Sequence, residues 1–340
     1  MGVMSRETAG ALIEAAFAAA DEHGTVSFAF QGGEPTVAGL DFFRDFVAMV
    51  SAFRPLDRQV SYALQTNGMA LNEEWTHFLK ENQFLVGLSV DGYRELHDHY
   101  RVDTKGEGTY GRVAKALALL QKFEVETNLL CVVTGQCAKH PQKTYASMKK
   151  LGVRYLQFIP CLDPLEEQRG RAVYSLTPKL YGDFLCGLFD QWYRDWAEGH
   201  YTSVRLFDDY VHLAMGEPAS TCAASGGCGS YFVVEADGGV YPCDFYVLDR
   251  WRMGDVHTDS LKQLANDETA SEFLRQGRLR PSRCASCRWA PLCNGGCRRD
   301  WTGGADDTEN YYCESFRRFF EYAADRIGEI AWQERRSRMR

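Results

Sequence analysis

The apolar positions of the first 160 residues alternate between two periods. Short runs rich in β-branched and aromatic residues, at 25–30, 59–64, 84–89, 125–133 and 154–159, read as strands. Between them, at 5–23, 40–53, 72–81, 110–123 and 140–151, apolar residues recur every three or four positions, as on an amphipathic helix. Strands separated by helices of this length predict βαβ units and a parallel sheet. In such a sheet the ligand site gathers at the carboxyl ends of the strands. The polar, glycine-bearing segments 31–36, 65–68 and 91–92 each follow a strand directly, so all three are expected at that end.

Residues 177–215 carry a long helical pattern with Phe184, Phe189, Trp192, Tyr193 and Trp196 on it. An aromatic stripe at helical spacing is expected to be core. From Cys222 the character changes to glycines, cysteines and short strands. Ala236-Asp237-Gly238-Gly239 signals a hairpin between 231–235 and 240–242. A helix over 312–335 closes the chain. The pattern thus divides the protein into residues 1–215, 216–315 and 316–340.

Composition narrows the function classes. The formal net charge is -8 and no basic stripe is present, which argues against a dedicated nucleic-acid binder. Arg335, Arg336, Arg338 and Arg340 are expected to sit solvated at the end of the last helix, where cations are favoured. The apolar stretch 9–20 is interrupted by Glu14 and follows Arg6 and Glu7, so it reads as an amphipathic helix rather than a secretory leader. No apolar run reaches the ~18 residues of a membrane span. The expected compartment is the cytoplasm.

Twelve cysteines change the picture most. Cys131, Cys137, Cys161 and Cys186 are scattered, whereas eight fall between residues 222 and 313. They read Cys222-x5-Cys228-x14-Cys243, then Cys284-x2-Cys287-x5-Cys293-x3-Cys297, and finally Cys313. Eight thiolates match the need of two four-cysteine metal sites, and spacing alone leaves zinc and iron–sulfur open. Disulfides fit a reducing compartment poorly. In stretches so rich in glycine, bound metal would supply local folding energy.

The surroundings of these cysteines carry a resemblance. Cys284-Ala-Ser-Cys287-Arg-Trp-Ala-Pro-Leu-Cys293-Asn-Gly-Gly-Cys297-Arg-Arg resembles the C-terminal cluster domain, called SPASM, of radical S-adenosylmethionine (SAM) peptide-modifying enzymes. Val240-Tyr-Pro-Cys243-Asp-Phe-Tyr and Asn310-Tyr-Tyr-Cys313 are similar to one branch, the anaerobic sulfatase-maturating enzymes. The resemblance implies two auxiliary [4Fe–4S] clusters. Cys222, Cys228, Cys243 and Cys297 would hold the first, and Cys284, Cys287, Cys293 and Cys313 the second. It implies a partial (β/α)6 radical SAM barrel lacking its first strand, followed by a small SPASM domain and a C-terminal helix.

The same resemblance assigns the amino-terminal half. Gln31-Gly32-Gly33-Glu34-Pro35 resembles the motif that holds the methionine amino group of SAM, giving Gly32, Gly33 and Glu34 as cofactor residues. Ser89 and Arg101 match positions that contact the SAM ribose and carboxylate, and a guanidinium fork suits a carboxylate. Gln65 matches a substrate-contacting position. Asp244, which by sequence alone reads as a helix or turn cap, matches the general base. The implied chemistry begins with cleavage of SAM to a 5′-deoxyadenosyl radical, which takes a hydrogen from Cβ of a cysteine or serine in a sulfatase peptide. A base removes the thiol or hydroxyl proton, an electron leaves through an auxiliary cluster, and Cα-formylglycine results, released after hydrolysis when the target is cysteine. The implied partners are the sulfatase polypeptide and a flavodoxin- or ferredoxin-type electron donor.

One departure stands out. The family's SAM-cleaving cluster needs Cys-x3-Cys-x2-Cys after the first strand, and no such triplet occurs in these 340 residues. The chain is therefore expected to start inside the family, just before its first helix, with one βα unit missing and a sheet edge left unpaired. As written it is expected to be inactive, with SAM and a third [4Fe–4S] cluster bound only by a longer form. The alternatives are a different SPASM-type enzyme that crosslinks a small peptide, or a non-catalytic iron–sulfur protein that binds one.

Overall fold

The structure, a computed structural model, describes residues 2–165, 167–229, 231–303 and 308–338. The elements run α1 (Arg6–Ala19), β1 (Thr25–Phe30), α2 (Leu40–Phe53), β2 (Gln59–Thr66), α3 (Glu73–Glu81), β3 (Phe84–Ser89), α4 (Arg94–Tyr100) and α5 (Tyr110–Lys122). They continue with β4 (Thr127–Val133), α6 (Pro141–Lys149), β5 (Tyr155–Pro160), α7 (Pro178–Ala197), β6 (Ser203–Val204) and α8 (Arg205–Ala214). Short pieces follow: α9 (Cys222–Ser225), β7 (Val233–Val234), β8 (Gly239–Tyr241), β9 (Gly254–Asp255), α10 (Leu261–Leu264) and α11 (Glu268–Arg278). The last are α12 (Ala290–Cys293), β10 (Trp301–Thr302), β11 (Glu309–Asn310) and α13 (Cys313–Arg338). Strands β1 to β6 form one sheet in sequence order, and the pairs β1–β2, β2–β3, β4–β5 and β5–β6 are parallel, as βαβ units require.

Two compact units are assembled from interleaved segments. Residues 1–88, 115–127 and 229–278 form the first. Its core joins Ala9, Ile13 and Phe17 of α1 to Val26 and Phe28 of β1 and Phe46 and Val50 of α2. Helix α1 begins where the Ser5 hydroxyl caps the Thr8 amide at 3.0 Å. Its small residues Ala11, Ala15 and Ala19 form a second apolar flank, against Val240, Val256, Leu261 and Leu264 of the cysteine-rich part. That two-sided burial is why the stretch 9–20 is so apolar. In the same unit β7 and β8 pair antiparallel as the hairpin signal predicts, and β9 adds a third strand.

Residues 89–114, 128–228 and 279–340 form the second unit. The predicted helical stretch 177–215 is broken here. Helix α7 starts at a Thr177 cap with Pro178 in its first turn and stops at Glu198, before Gly199 at φ +78°. The chain then enters the short β6, which pairs with β5, before α8 begins. Phe184, Phe189 and Trp192 are buried as expected, whereas Tyr193 and Trp196 are half-buried and the Tyr193 hydroxyl donates to Glu329 at 2.6 Å. Helix α13 lies against α7 and α8. Its arginines are less free than expected: Arg335 donates to the carbonyls of Ala214 and Met215 at the end of α8, and Arg338 pairs with Glu217 at 2.6 Å. Arg340 lies outside the described residues. No helix among the described residues is long and apolar enough to cross a membrane.

Candidate active site and cluster ligands

In the first unit, β1 ends in Gly32 at φ +88° and Gly33 at φ +54°, left-handed conformations that favour glycine. A Cβ at either would meet nothing within 4 Å, so both backbones face open space that a ligand can enter. Glu34 does a different job. Its Oε1 accepts from the Thr36 amide at 3.1 Å and from the Thr36 and Thr66 hydroxyls at 2.6 and 2.7 Å, and its Oε2 accepts from the Asn67 amide at 2.7 Å. Both carboxylate oxygens thereby brace the loop after β1 against the end of β2. Strand β2 runs two residues further than the pattern predicts, to Thr66, so Gln65 is a strand residue paired opposite Gly87 rather than part of a turn. Its side chain is exposed.

Asp244 opens the short 3-10 segment Asp244–Tyr246, but its carboxylate caps nothing there. Instead, Oδ2 accepts from Gln31 Nε2 at 3.2 Å and Oδ1 accepts from the Tyr231 hydroxyl at 2.8 Å. The residue is exposed, so an aqueous or substrate proton can reach it. Burial, and then its bonds to Cys243 and Asp244, push the Tyr231 phenol above its ordinary value and keep it a donor. Burial also pushes the neighbouring Cys243 thiol up, to about 11.

Arg101 and Ser89 belong to the second unit. Arg101 is not a free fork: its Nε donates to Asp91 Oδ2 at 2.6 Å and its Nη2 to Oδ1 at 3.3 Å. One edge of the guanidinium is thus committed, and Nη1 is left for an anionic ligand. Asp91, 6% exposed, also accepts from the Val132 amide at 2.9 Å. His97 Nδ1 accepts from the Asp91 amide at 3.2 Å, which fixes the tautomer so that Nε2–H faces the Thr109 hydroxyl at 3.0 Å. Thr109 in turn donates to the Arg101 carbonyl at 2.9 Å. Burial lowers the His97 pKa to about 4, so the ring is neutral at pH 7. Asp91, His97, Thr109 and Tyr231 were not singled out in the sequence; the Asp91-Gly92 turn after β3 was the one signal pointing there.

All twelve cysteines are free thiols. Cys284, Cys287, Cys293 and Cys313 line one cavity of about 450 Å³ together with Arg283, Trp289 and Phe316. Among the described residues no three of these thiols lie within 4.8 Å of one another. A tetrahedral zinc ion with Zn–S near 2.3 Å would need its sulfurs about 3.8 Å apart, so no three of these thiols are set for a single ion. The indole Nε1 of Trp289, a cavity-lining residue, is buried without a partner. Burial pushes the Cys293 thiol up to about 12. Cys222, Cys228 and Cys297 also belong to the second unit, where Cys297 Sγ accepts from the Arg299 amide at 3.4 Å. The Asn294 side chain donates to the Ala224 carbonyl at 2.9 Å and ties their two segments together. Cys243 belongs to the first unit.

Residues 4–148 match the profile of the radical SAM superfamily, and residues 226–288 match SPASM, an iron–sulfur cluster-binding domain. The cysteine-type anaerobic sulfatase-maturating enzyme of Clostridium perfringens is 43% identical over 97% of this chain and 89% of its own length. The serine-type enzyme of Bacteroides thetaiotaomicron is 30% identical over 88% of this chain and 76% of its own. The solved structure described as native anSMEcpe with bound AdoMet and Kp18Cys peptide superposes with a TM-score of 0.94 at 43% identity, covering 98% of this chain and 92% of that one. Streptococcus suis SuiB bound to S-adenosylmethionine, at 13% identity and a TM-score of 0.55 over 88% of this chain and 66% of that one, shares the fold alone. With relatives this similar along nearly its whole length, the chain belongs to the anaerobic sulfatase-maturating enzymes, a branch of the radical SAM enzymes that act on protein substrates.

Proposed function

We propose that this protein matures sulfatases by oxidising an active-site cysteine or serine to Cα-formylglycine. The observation that carries the reading is the Asp244 carboxylate, exposed beside Cys243 and held at both oxygens by Gln31 and Tyr231. Such a carboxylate is oriented to take the thiol or hydroxyl proton of the substrate residue. The cysteine-type relatives are 40% and 43% identical and a serine-type relative 30%, which favours cysteine as the target.

When bound, SAM and the iron–sulfur clusters supply the radical that removes a Cβ hydrogen and the route by which an electron leaves. Gly32 and Gly33 give close backbone approach to the methionine amino group, and Glu34 keeps their loop in place. Ser89 serves the ribose, and the uncommitted Nη1 of Arg101 serves the carboxylate. Gln65 contacts the substrate peptide. Cys222, Cys228, Cys243 and Cys297 hold one auxiliary [4Fe–4S] cluster, and Cys284, Cys287, Cys293 and Cys313 the other. A flavodoxin- or ferredoxin-type protein supplies electrons, in the reducing cytoplasm that unpaired thiols favour.

The test uses a cysteine-bearing sulfatase peptide with SAM and reductant under anaerobic conditions, with aldehyde read by mass spectrometry. A form that adds a Cys-x3-Cys-x2-Cys segment to these residues is expected to make the aldehyde, and the 340 residues alone are not. In the active form Asp244→Asn lowers kcat by ~10²–10⁴ with KM little changed. A crosslinked product in place of an aldehyde, or full kcat in Asp244→Asn, rejects the reading.

A further inference from the structure

Tyr231 lies in the stretch between Cys228 and Cys243, and its hydroxyl meets two of the groups that matter. The oxygen stands 2.8 Å from Asp244 Oδ1 and 3.4 Å from Cys243 Sγ, and those two atoms are 3.5 Å from each other. A free Cys243 thiol can itself donate to Oδ1. A cysteine that ligates metal is a thiolate without a proton. Its sulfur then becomes a second acceptor, and the single phenolic proton of Tyr231 is the donor that faces both. The far carboxylate oxygen of Asp244 is already held by Gln31 Nε2 at 3.2 Å.

We infer that Tyr231 is a positioning residue that ties the Asp244 carboxylate to the sulfur of a cluster ligand, its one hydroxyl proton shared between the two. The inference rests on the base and ligand assignments proposed above. It has two consequences. Asp244 is held at both oxygens in a fixed orientation. The auxiliary cluster held by Cys243 also receives a hydrogen bond at a ligating sulfur, which stabilises its reduced, more negative form and raises its potential.

The experiment needs neither SAM nor substrate. The 340-residue chain is reconstituted anaerobically with iron and sulfide, and its clusters are followed by redox titration monitored by electron paramagnetic resonance. Tyr231→Phe is expected to keep the wild-type iron content and to shift one cluster's midpoint potential negative while the other stays put. Cys243→Ala identifies the shifted cluster by removing it. In an Asp244→Asn background the Tyr231→Phe shift is expected to grow, because the weaker acceptor leaves more of the proton to the sulfur. Unchanged potentials in Tyr231→Phe overturn the inference, and so does a loss of iron in that variant, which would mark a purely structural role. Equal shifts in the two backgrounds overturn the link to Asp244. If Cys243→Ala keeps all its iron, the ligand assignment itself falls and takes the inference with it.

Discussion

His97 is neutral because the structure leaves it no room to be charged. Its Nδ1 accepts from the Asp91 amide, its Nε2–H faces Thr109, and the ring is fully buried, so a second proton on Nδ1 would break the first contact and leave a charge without water. The folded pKa of about 4 lies below the ordinary 6.5, so between these values the unfolded chain binds the proton and the folded chain does not. Stability from this ring is therefore complete above pH 6.5 and is lost as pH falls toward 4, by roughly 2–3 kcal/mol. Urea unfolding of the cluster-free chain at several pH values checks this, and His97→Gln is expected to flatten that part of the slope. Beyond the Asp91-Gly92 turn, the sequence does not mark the roles of His97, Asp91 or Tyr231, because each acquires its role from partners brought close by folding: Arg101 and Val132 for Asp91, Asp244 and Cys243 for Tyr231. The Cys284-to-Cys297 run stood out because its spacing and immediate neighbours carry the pattern within a few residues of chain, whereas Asp244 was singled out only by its match to a family position.

The bounds of α2 and α3 were legible, since local chemistry sets them. Asn72 caps α3 through the Trp75 amide at 3.0 Å, and α2 runs over Leu40–Phe53 as its apolar period predicts. The two-residue β6 was not legible: a strand that short has no period, and it sits between two aromatic helices whose pattern runs through it. Those helices converge on Phe319 of α13, fully buried and in contact with the rings of Phe207 at 5.5 Å, Phe189 at 5.6 Å and Phe320 at 5.4 Å. Phe319→Ala would leave a cavity where three elements meet and is expected to cost ~3–5 kcal/mol in denaturant titration. Trp332, on the same helix but 56% exposed, is the control, and its replacement by Ala should stay within about 0.5 kcal/mol.

At the scale of the whole molecule, the eight clustered cysteines and the absent triplet make a quantitative statement about metal. Two four-cysteine sets account for about eight irons and eight sulfides per chain, and a SAM-cleaving cluster would add about four of each. Cys284, Cys287, Cys293 and Cys313 line one cavity, and no three of them are gathered as a single tetrahedral ion would gather them, so iron rather than zinc is expected after anaerobic reconstitution. Iron and sulfide analysis of the 340-residue chain should therefore give about eight of each. Cys293→Ala removes one thiol of the second set and should lower the count to about four, with Cys243→Ala doing the same through the other set. Because structural metal supplies folding energy to glycine-rich segments with small cores, each loss should also expose its own segment to proteolysis. The cleavages are expected near residues 284–297 in Cys293→Ala and near 222–243 in Cys243→Ala. A wild-type count near twelve would mean that cysteines outside the two sets, Cys131, Cys137, Cys161 or Cys186, take part in a third cluster. The burial of Cys131 and Cys137 opposes that, since neither thiol is exposed at all.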